Sequence, residues 1–398
     1  MQPLIVTQFT AANALGLGAR ATLAALEDNR TGLIACDFET AVLDTFVGRI
    51  GDTVLLPLRT DLTEFDCRNN RIAQLALRQD GFEDTVAAAR DRYGAQRIGV
   101  FLGTSTSGIL HTELAYRRRD PDTGTLPADF RYATRQNNFS LAWFVQSYCG
   151  LAGPALVVST ACSSSAKVFA TASRMIEAEL CDAAIVGGAD SLCLTTLYGF
   201  GSLQLLSNAP CRPFDVDRDG ISIGEGAGFM LLEKAESAGT GNAIAVRRVG
   251  ESSDAHHMST PHPEGTGARL AMEHALRSAG VSRQEIDYIN LHGTGTRSND
   301  VSEEKAVFEL FRDRIACSST KGYTGHTLGA SGILEAIISV LAIEHGFVPG
   351  SVNTREVDPA VRLDYVIEKR AAAIDTVLSN SFGFGGTNCS VVFARWRR

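Results

Sequence analysis

The sequence predicts an α/β protein built from two halves of similar grammar. Strand-like apolar runs alternate with helix-like stretches, the same alternation begins again past residue 242, and glycine-rich turns join the elements. Residues 97–102 (RIGVFL) form a buried-strand pattern that runs into a Gly/Ser/Thr turn. Residues 155–158 give a second strand, and 162–180 have helical composition and length. Residues 183–187 (AAIVG) complete a β–α–β unit. The second half gives strands at 243–249, 287–291 and 314–318, and helices at 268–279, 302–311 and 331–344. A last strand pair, 377–381 and 389–394, flanks a glycine-rich turn. A break at 236–242 (ESAGTGN) divides the chain into residues 1–238 and 239–398. The polar stretch 117–136 reads as a surface excursion.

Composition narrows the function. Apolar residues make up 44% and charged residues 21%, the balance of a soluble globular protein. The net charge of −8 argues against nucleic acid as a partner. Nine cysteines without framework spacing point to a reducing cytosol. Residues 1–11 show no secretory pattern. The most apolar helix stretch, 332–343, is too short for a bilayer and carries Glu335, so no membrane role is expected.

Four segments carry chemistry. In Thr160-Ala161-Cys162-Ser163-Ser164-Ser165 a strand ends and a helix begins at the cysteine. Unpaired N–H groups at a helix start lower a thiol pKa and support a thiolate nucleophile. A buried structural cysteine is the commoner use of such a position. In His292-Gly293-Thr294-Gly295-Thr296 a histidine follows a strand, with glycines that admit a close ligand and hydroxyls that meet it. A satisfied structural histidine fits equally well. A second histidine, His326, lies in KGYTGHTLGASG, five residues after Lys321. In Ser381-Phe382-Gly383-Phe384-Gly385-Gly386-Thr387-Asn388, Phe384 stands in a frame of glycines like a movable gate. Dinucleotide spacing is absent there.

Taken together and in this order, these motifs resemble the β-ketoacyl-acyl carrier protein synthases of the elongating, Cys-His-His type. Segments 183–190 (AAIVGGAD) and 211–234 extend the resemblance over roughly residues 97–393. The opening 5–11 (IVTQFTA) lacks the family's glycine. The resemblance implies a thiolase-like fold with a duplicated five-layer αβαβα core, normally a homodimer. It implies decarboxylative condensation of an acyl chain with malonyl-acyl carrier protein, in fatty acid or polyketide/polyene biosynthesis. Cys162 then accepts the acyl group, while His292 and His326 bind the malonyl thioester carbonyl. Lys321 orients the histidines with Glu335 as its carboxylate partner. Backbone N–H groups of Cys162 and Phe384 form the oxyanion hole, and Phe384 gates the acyl pocket. Thr294 and Thr296 meet the pantetheine arm, and Asp300 fills the family's acidic position after HGTGT. No metal and no cofactor are implied beyond the carrier's phosphopantetheine arm.

Two departures stand out. Lys167 is unusual so near the nucleophile. The loop 103–107 (GTSTS) replaces the family's glycine-rich loop that lines the acyl tunnel of the neighbouring subunit, so Thr106 is expected to line that tunnel and suit it to short, polar or unsaturated chains. An acidic carrier needs basic residues at the tunnel mouth. Arg68 with Arg71, and Arg131 with Arg135, have the spacing of one helical turn and are the docking candidates. Among rival readings, a degradative thiolase would carry a second cysteine in place of His326, and a starter synthase would carry asparagine. A chain-length factor would lack Cys162, although the chain could pair with one as the active subunit of a heterodimer.

Overall fold

The computed structural model describes residues 3–236, 243–312 and 315–397. The junction read at 236–242 therefore lies, from 237 on, outside the described residues.

Ten strands form the core of one long sheet. In the first half these are β1 (Leu4–Asn13), β2 (Ile98–Gly103), β3 (Ala155–Val158), β4 (Ala183–Asp190) and β5 (Gly226–Lys234). In the second half they are β6 (Ile244–Ser253), β7 (Tyr288–Asn290), β8 (Ala316–Ser318), β9 (Thr376–Gly383) and β10 (Thr387–Arg395). The first half is ordered β3-β2-β4-β5-β1 and the second β8-β7-β9-β10-β6. Counted within each half, both read 3-2-4-5-1. In both, the first three strands named are parallel and the last two antiparallel. The duplication seen as grammar in the sequence is thus a duplication of topology. The halves meet where β1 pairs with β6 over Leu4–Val246, Ile5–Ala245 and Val6–Ile244.

Seven helices place the layers: α1 (Arg68–Leu77), α2 (Ser140–Cys149), α3 (Ser164–Glu177), α4 (Leu194–Ser202), α5 (Thr266–Ala279), α6 (Arg297–Phe311) and α7 (Ser331–His345). α1 and α2 cover the outer face of the first sheet half, and α5 covers the second. α3 follows β3 and α7 follows β8. They touch each other and pack on strands of both halves, which makes them the central layer. This gives the five layers expected. α7 is buried from Ser331 to Ile343. The stretch Leu328–His345 is long and apolar enough to cross a membrane, and 89% of it is buried within the protein. Such burial is what a core helix that is apolar all round requires.

Two strands escaped the sequence reading. β1 lies in a region without motif landmarks. β5 is rich in glycine, which ordinarily weakens a strand. Here the glycines are needed for close approach. A Cβ on Gly228 would meet Ile337 Cδ1 of α7 at 2.7 Å, and one on Gly226 would meet Ala12 O of β1 at 2.9 Å. Gly103, at the end of β2, does the same for the central layer. A Cβ there would sit 2.3 Å from the backbone nitrogen of Ser165. Because α3 cannot move away from α7, Gly103→Ala is expected to destabilise the protein by about 1–3 kcal/mol, the usual cost of overpacking. Chemical denaturation would show this as a lower midpoint with an unchanged slope.

Candidate active site

The nucleophile turn is built from a short run of small side chains. Ala161 holds a left-handed backbone with φ of 53°, unusual for a residue with a Cβ, and this turns Cys162 out of line with β3. The turn is pinned on both sides. Ser164 Oγ donates to Ala161 O at 2.5 Å, and Thr160 O accepts from Ser163 Oγ at 2.9 Å and from Thr387 Oγ1 at 3.0 Å. α3 begins at Ser164, two residues beyond the cysteine, not at Cys162 as the sequence suggested.

Cys162 is only 6% exposed, and its Sγ lies 3.0 Å from His326 Nε2. Burial pushes the thiol up to about 11, against the opposing pull of Lys321 and of the Phe384 N–H that points at the sulfur. This corrects the expectation of a lowered thiol pKa. Desolvation outweighs the helix terminus because α3 starts late and the thiol is buried.

His326 is fixed by its own backbone. Its N–H donates to Ser222 O at 2.7 Å, and its carbonyl accepts from Gly224 N at 2.9 Å. His292 lies across from it, with ring centroids 5.4 Å apart and planes at 82°. Burial holds both imidazoles well below the usual histidine range, reinforced by the nearby Lys321 charge, so both are neutral at pH 7. Lys321 also sets a tautomer. Its Nζ lies 3.3 Å from His292 Nδ1 and also contacts His292 O and Glu335 Oε1. An ammonium only donates, so Nδ1 accepts and the His292 proton sits on Nε2. Glu335, in the first turns of α7, is buried with Lys321 as its partner.

Cys162, His292 and His326 line an open cavity together with Phe200, Leu205, Ile221, Thr294, Thr296 and Phe384. The Phe384 ring leans on Phe200 at 5.7 Å. Its loop turns back through Gly385 and Gly386, with φ of 82° and 76°, a left-handed pair that favours glycine. Thr294 Oγ1 and Thr296 Oγ1 are 2.8 Å apart, and Thr296 also caps α6 by accepting from Asn299 N. The donor atoms of Cys162, His292 and His326 all lie within 4.8 Å of one another, a set that a thiophilic divalent ion would suit.

Other expected site residues lie elsewhere. Asp300 is buried away from the cavity. It accepts from Phe214 N at 2.9 Å and Gly295 N at 3.2 Å and pairs with Arg218, so it supports the HGTGT loop from behind. Thr106 is fully buried, and its hydroxyl donates to Asp190 Oδ1 at 2.7 Å beside that of Thr104 at 2.8 Å. Both threonine hydroxyls of the loop are thus turned onto a carboxylate, while Ser107 Oγ donates to Arg135 O and Asn137 O, each at 3.1 Å. Lys167 pairs with Glu251 on β6 at 3.3 Å.

The arginines expected at the docking surface each bond within the chain. Arg68 is held by Glu225 and Asp52 at 2.5 and 2.6 Å, and Arg71 by Asp66 at 2.6 Å. Arg135 donates to the carbonyls of Glu64, Thr63 and Asp129, and exposed Arg131 to those of Ala128 and Phe130. Arg68 and Arg71 line a different cleft from the cysteine.

One site residue was missed. Glu303, on α6, accepts from the backbone N–H of His292 and of Gly293, each at 2.8 Å, and from Asn380 at 3.2 Å. Burial pushes its carboxyl up to about 7. Its signal was available: an acid three residues after Asp300, on the inner face of a helix.

Fold and site together define an acyltransferase with a Cys-His-His centre on a duplicated α/β core. The comparisons agree. The β-ketoacyl synthase N-terminal domain family matches residues 70–238, and the C-terminal domain family matches 244–355. The 3-oxoacyl-[acyl-carrier-protein] synthase 2 of Coxiella burnetii is 41% identical over 315 residues, and that of Vibrio cholerae 36% over 317, each covering 76% of both chains. A ketosynthase solved in complex with its chain length factor, from Xenorhabdus doucetiae, superposes with a TM-score of 0.90 at 37% identity, covering 99% of this chain and 98% of that one. The ishigamide ketosynthase/chain length factor gives 0.89 at 27% identity with full coverage of both. The chain belongs to the β-ketoacyl synthase family.

The two neutral histidines give the fold a titration signature. Unfolding frees them to bind protons below about pH 6.5, so the unfolded state gains protons and stability falls as pH falls. Each histidine contributes a slope of up to about 1.4 kcal/mol per pH unit below that point. A His292→Asn, His326→Asn double variant is expected to lose this part of the slope. Denaturation midpoints of both proteins at pH 7.5 and 5.5 measure the difference.

Proposed function

We propose that the chain carries out decarboxylative condensation of an acyl group with malonyl-acyl carrier protein, giving 3-oxoacyl-acyl carrier protein, with Cys162 as nucleophile. The observation that carries this reading is a buried thiol 3.0 Å from a neutral imidazole, with a second neutral imidazole alongside, in the lining of a cavity that opens to solvent.

Cys162 attacks the acyl thioester, with its proton passing to the departing carrier thiol. The acyl carbonyl oxygen faces the Phe384 N–H and the N–H of Cys162. Malonyl thioester then binds with its carbonyl on His292 and His326. Loss of CO2 leaves an enolate, whose oxygen these two imidazoles stabilise without first taking up a proton. The enolate carbon attacks the acyl carbonyl, the Cys162 sulfur leaves as thiolate, and it takes up one proton from solvent through the open cavity. The sequence is redox-neutral and calls on no cofactor. Lys321 and Glu335 hold His292 in the donating tautomer, Phe384 gates the acyl pocket, and Thr294 and Thr296 face the pantetheine arm.

The chain divides by this reading near residue 238, with the nucleophile in the first half and the histidines in the second. All nine cysteines are free, which fits the cytosol. β3 ends the sheet, its outer edge meets no strand among the described residues, and Leu156 on it is exposed. That edge suits a subunit partner, either a second copy or a related chain of the kind solved with the ketosynthases above.

Intact-mass spectrometry tests the nucleophile. Wild type incubated with acyl-carrier thioesters is expected to gain one acyl mass, discharged on adding malonyl-carrier protein to a product two carbons longer. Cys162→Ala is expected to gain none. Replacing His292 or His326 by Ala is expected to preserve acyl loading while slowing decarboxylation about 10²–10³-fold. No adduct on a folded wild-type dimer would reassign the chain to a partner-dependent or non-catalytic subunit.

A further inference from the structure

Asp190 ends β4 with its side chain fully buried, and among the described residues no cation forms an ion pair with it. Neutral donors hold it instead. Its Oδ1 accepts from Thr104 Oγ1, Ser105 N and Thr106 N, each at 2.8 Å, and from Thr106 Oγ1 at 2.7 Å. Its Oδ2 accepts from Ala330 N at 3.2 Å, an N–H shared with Thr327 O. The threonine hydroxyls have a fixed role. Thr104 Oγ1 accepts from Ser107 N and Thr106 Oγ1 from Ser191 N, each at 3.1 Å, so each hydroxyl gives its own proton to the carboxylate. Burial pushes the Asp190 carboxyl up, and these bonds oppose it. A proton on the carboxyl would find no acceptor in the set, which decides for the anion.

The bonds join turns on either side of the reacting pair. Ala161 stands next to Cys162, Leu328 lies two residues past His326, and Ser107 belongs to the loop itself. Their φ values are 53°, 51° and 43°, a region that residues with a Cβ seldom adopt. Such backbone persists only where its surroundings over-determine it. The Asp190 network reaches all three turns. Thr104 Oγ1 takes the Ser107 N–H, and Ser105 Oγ donates to Ala161 O at 3.4 Å. Against the third turn the fit is close. A Cβ on Gly329 would come within 2.8 Å of Asp190 Oδ2 and 2.7 Å of Ser105 Oγ.

We propose that Asp190 is a positioning residue for the condensation: its carboxylate ties the loop 104–107 to the turn 327–330, and so sets Cys162 at its 3.0 Å from His326 Nε2. The proposal rests on the condensing reading above. The same anion opposes formation of the Cys162 thiolate. Its removal therefore loosens the geometry of the pair and eases ionisation of the thiol at once. A residue that only kept the protein folded would not move turnover and thiol reactivity in opposite directions.

Asp190→Asn tests this, because one amide oxygen can replace Oδ1 or Oδ2 but not both. Condensation kinetics are measured beside iodoacetamide alkylation between pH 7 and 9, followed at the Cys162 peptide by mass spectrometry. The variant is expected to lose about tenfold or more in kcat with KM within about twofold. Alkylation is expected to speed up about twofold, the result of half a pKa unit once the lower nucleophilicity of a weaker base is counted. Thr106→Val, which drops one donor, is expected to lower kcat about threefold, and Thr106→Ser, which keeps it, to stay nearer wild type. Unchanged kcat in Asp190→Asn would overturn the proposal, and so would turnover and alkylation falling together. If Asp190→Asn does not fold, equal kcat in the two Thr106 variants overturns it. A wild type that takes no acyl group sinks the condensing reading. The alkylation comparison needs no acyl donor, so an unchanged rate there removes Asp190's hold on the thiol by itself.

Discussion

The buried contact between Lys321 and Glu335 is the constraint on which the active site depends. Both side chains are almost wholly buried. Two charges held in such a place need each other, and removing one partner of a buried pair typically costs about 3–5 kcal/mol. The contact joins three parts of the chain. Glu335 belongs to α7, the central helix of the second half. Lys321 lies in the turn after β8, and its ammonium reaches His292 in the turn after β7. A rigid core helix therefore dictates the orientation of a ring in a loop. A hydrophobic pair of the same volume would serve stability as well, but it would leave His292 Nδ1 without a donor and its tautomer unset.

The duplicated topology explains why the reacting groups converge. α3 and α7 occupy equivalent places after β3 and β8, and they pack against each other. Cys162 lies just before one of them and His326 just before the other, so the symmetry of the core brings the two side chains together. The equivalence extends further. The turn after β7 carries His292, while the matching turn after β2 carries Thr104 and Thr106. The turn after β9 carries Phe384, while β4 ends at Asp190, which binds those threonines. One half has kept its turns for reactive groups. The other uses the same positions for a buried carboxylate network that also accepts from Ala330 N, in the turn just before α7.

Much of this was legible in the sequence where a residue type and its local setting decide the outcome. The helix 331–344 is seen at Ser331–His345, and the strand 155–158 at its expected bounds. Cys162, His292, His326, Lys321 and Glu335 come together as their motifs implied. What was not legible depends on partners far away in the chain. Arg68 resembles a surface arginine by spacing, yet Glu225, 157 residues on, claims it. Thr106 reads as a tunnel residue until Asp190 is placed opposite. β5 hides behind its glycines, whose purpose appears only when β1 and α7 are laid against it. Glu303 was overlooked because a carboxylate on a charged helix looks solvated until the helix is seen to turn that face inward.

The electrostatics of the centre follow from one feature, the burial of all three reacting side chains. Desolvation pushes the Cys162 thiol up and both imidazoles down, so each group in the resting site is neutral, and the one lasting charge nearby is compensated by Glu335. A thiolate would be the better nucleophile at rest. A neutral centre is better suited to the second step, however. An enolate oxygen is stabilised most by donors already in place and already unhydrated, and an imidazolium would protonate the carbanion that has to attack carbon. The thiol at 3.0 Å from His326 is then deprotonated only as it is used, with the Phe384 N–H and Lys321 favouring the charge as it forms. Under the proposed mechanism, the site gives up nucleophile strength in the loading step to keep the enolate intact in the bond-forming one.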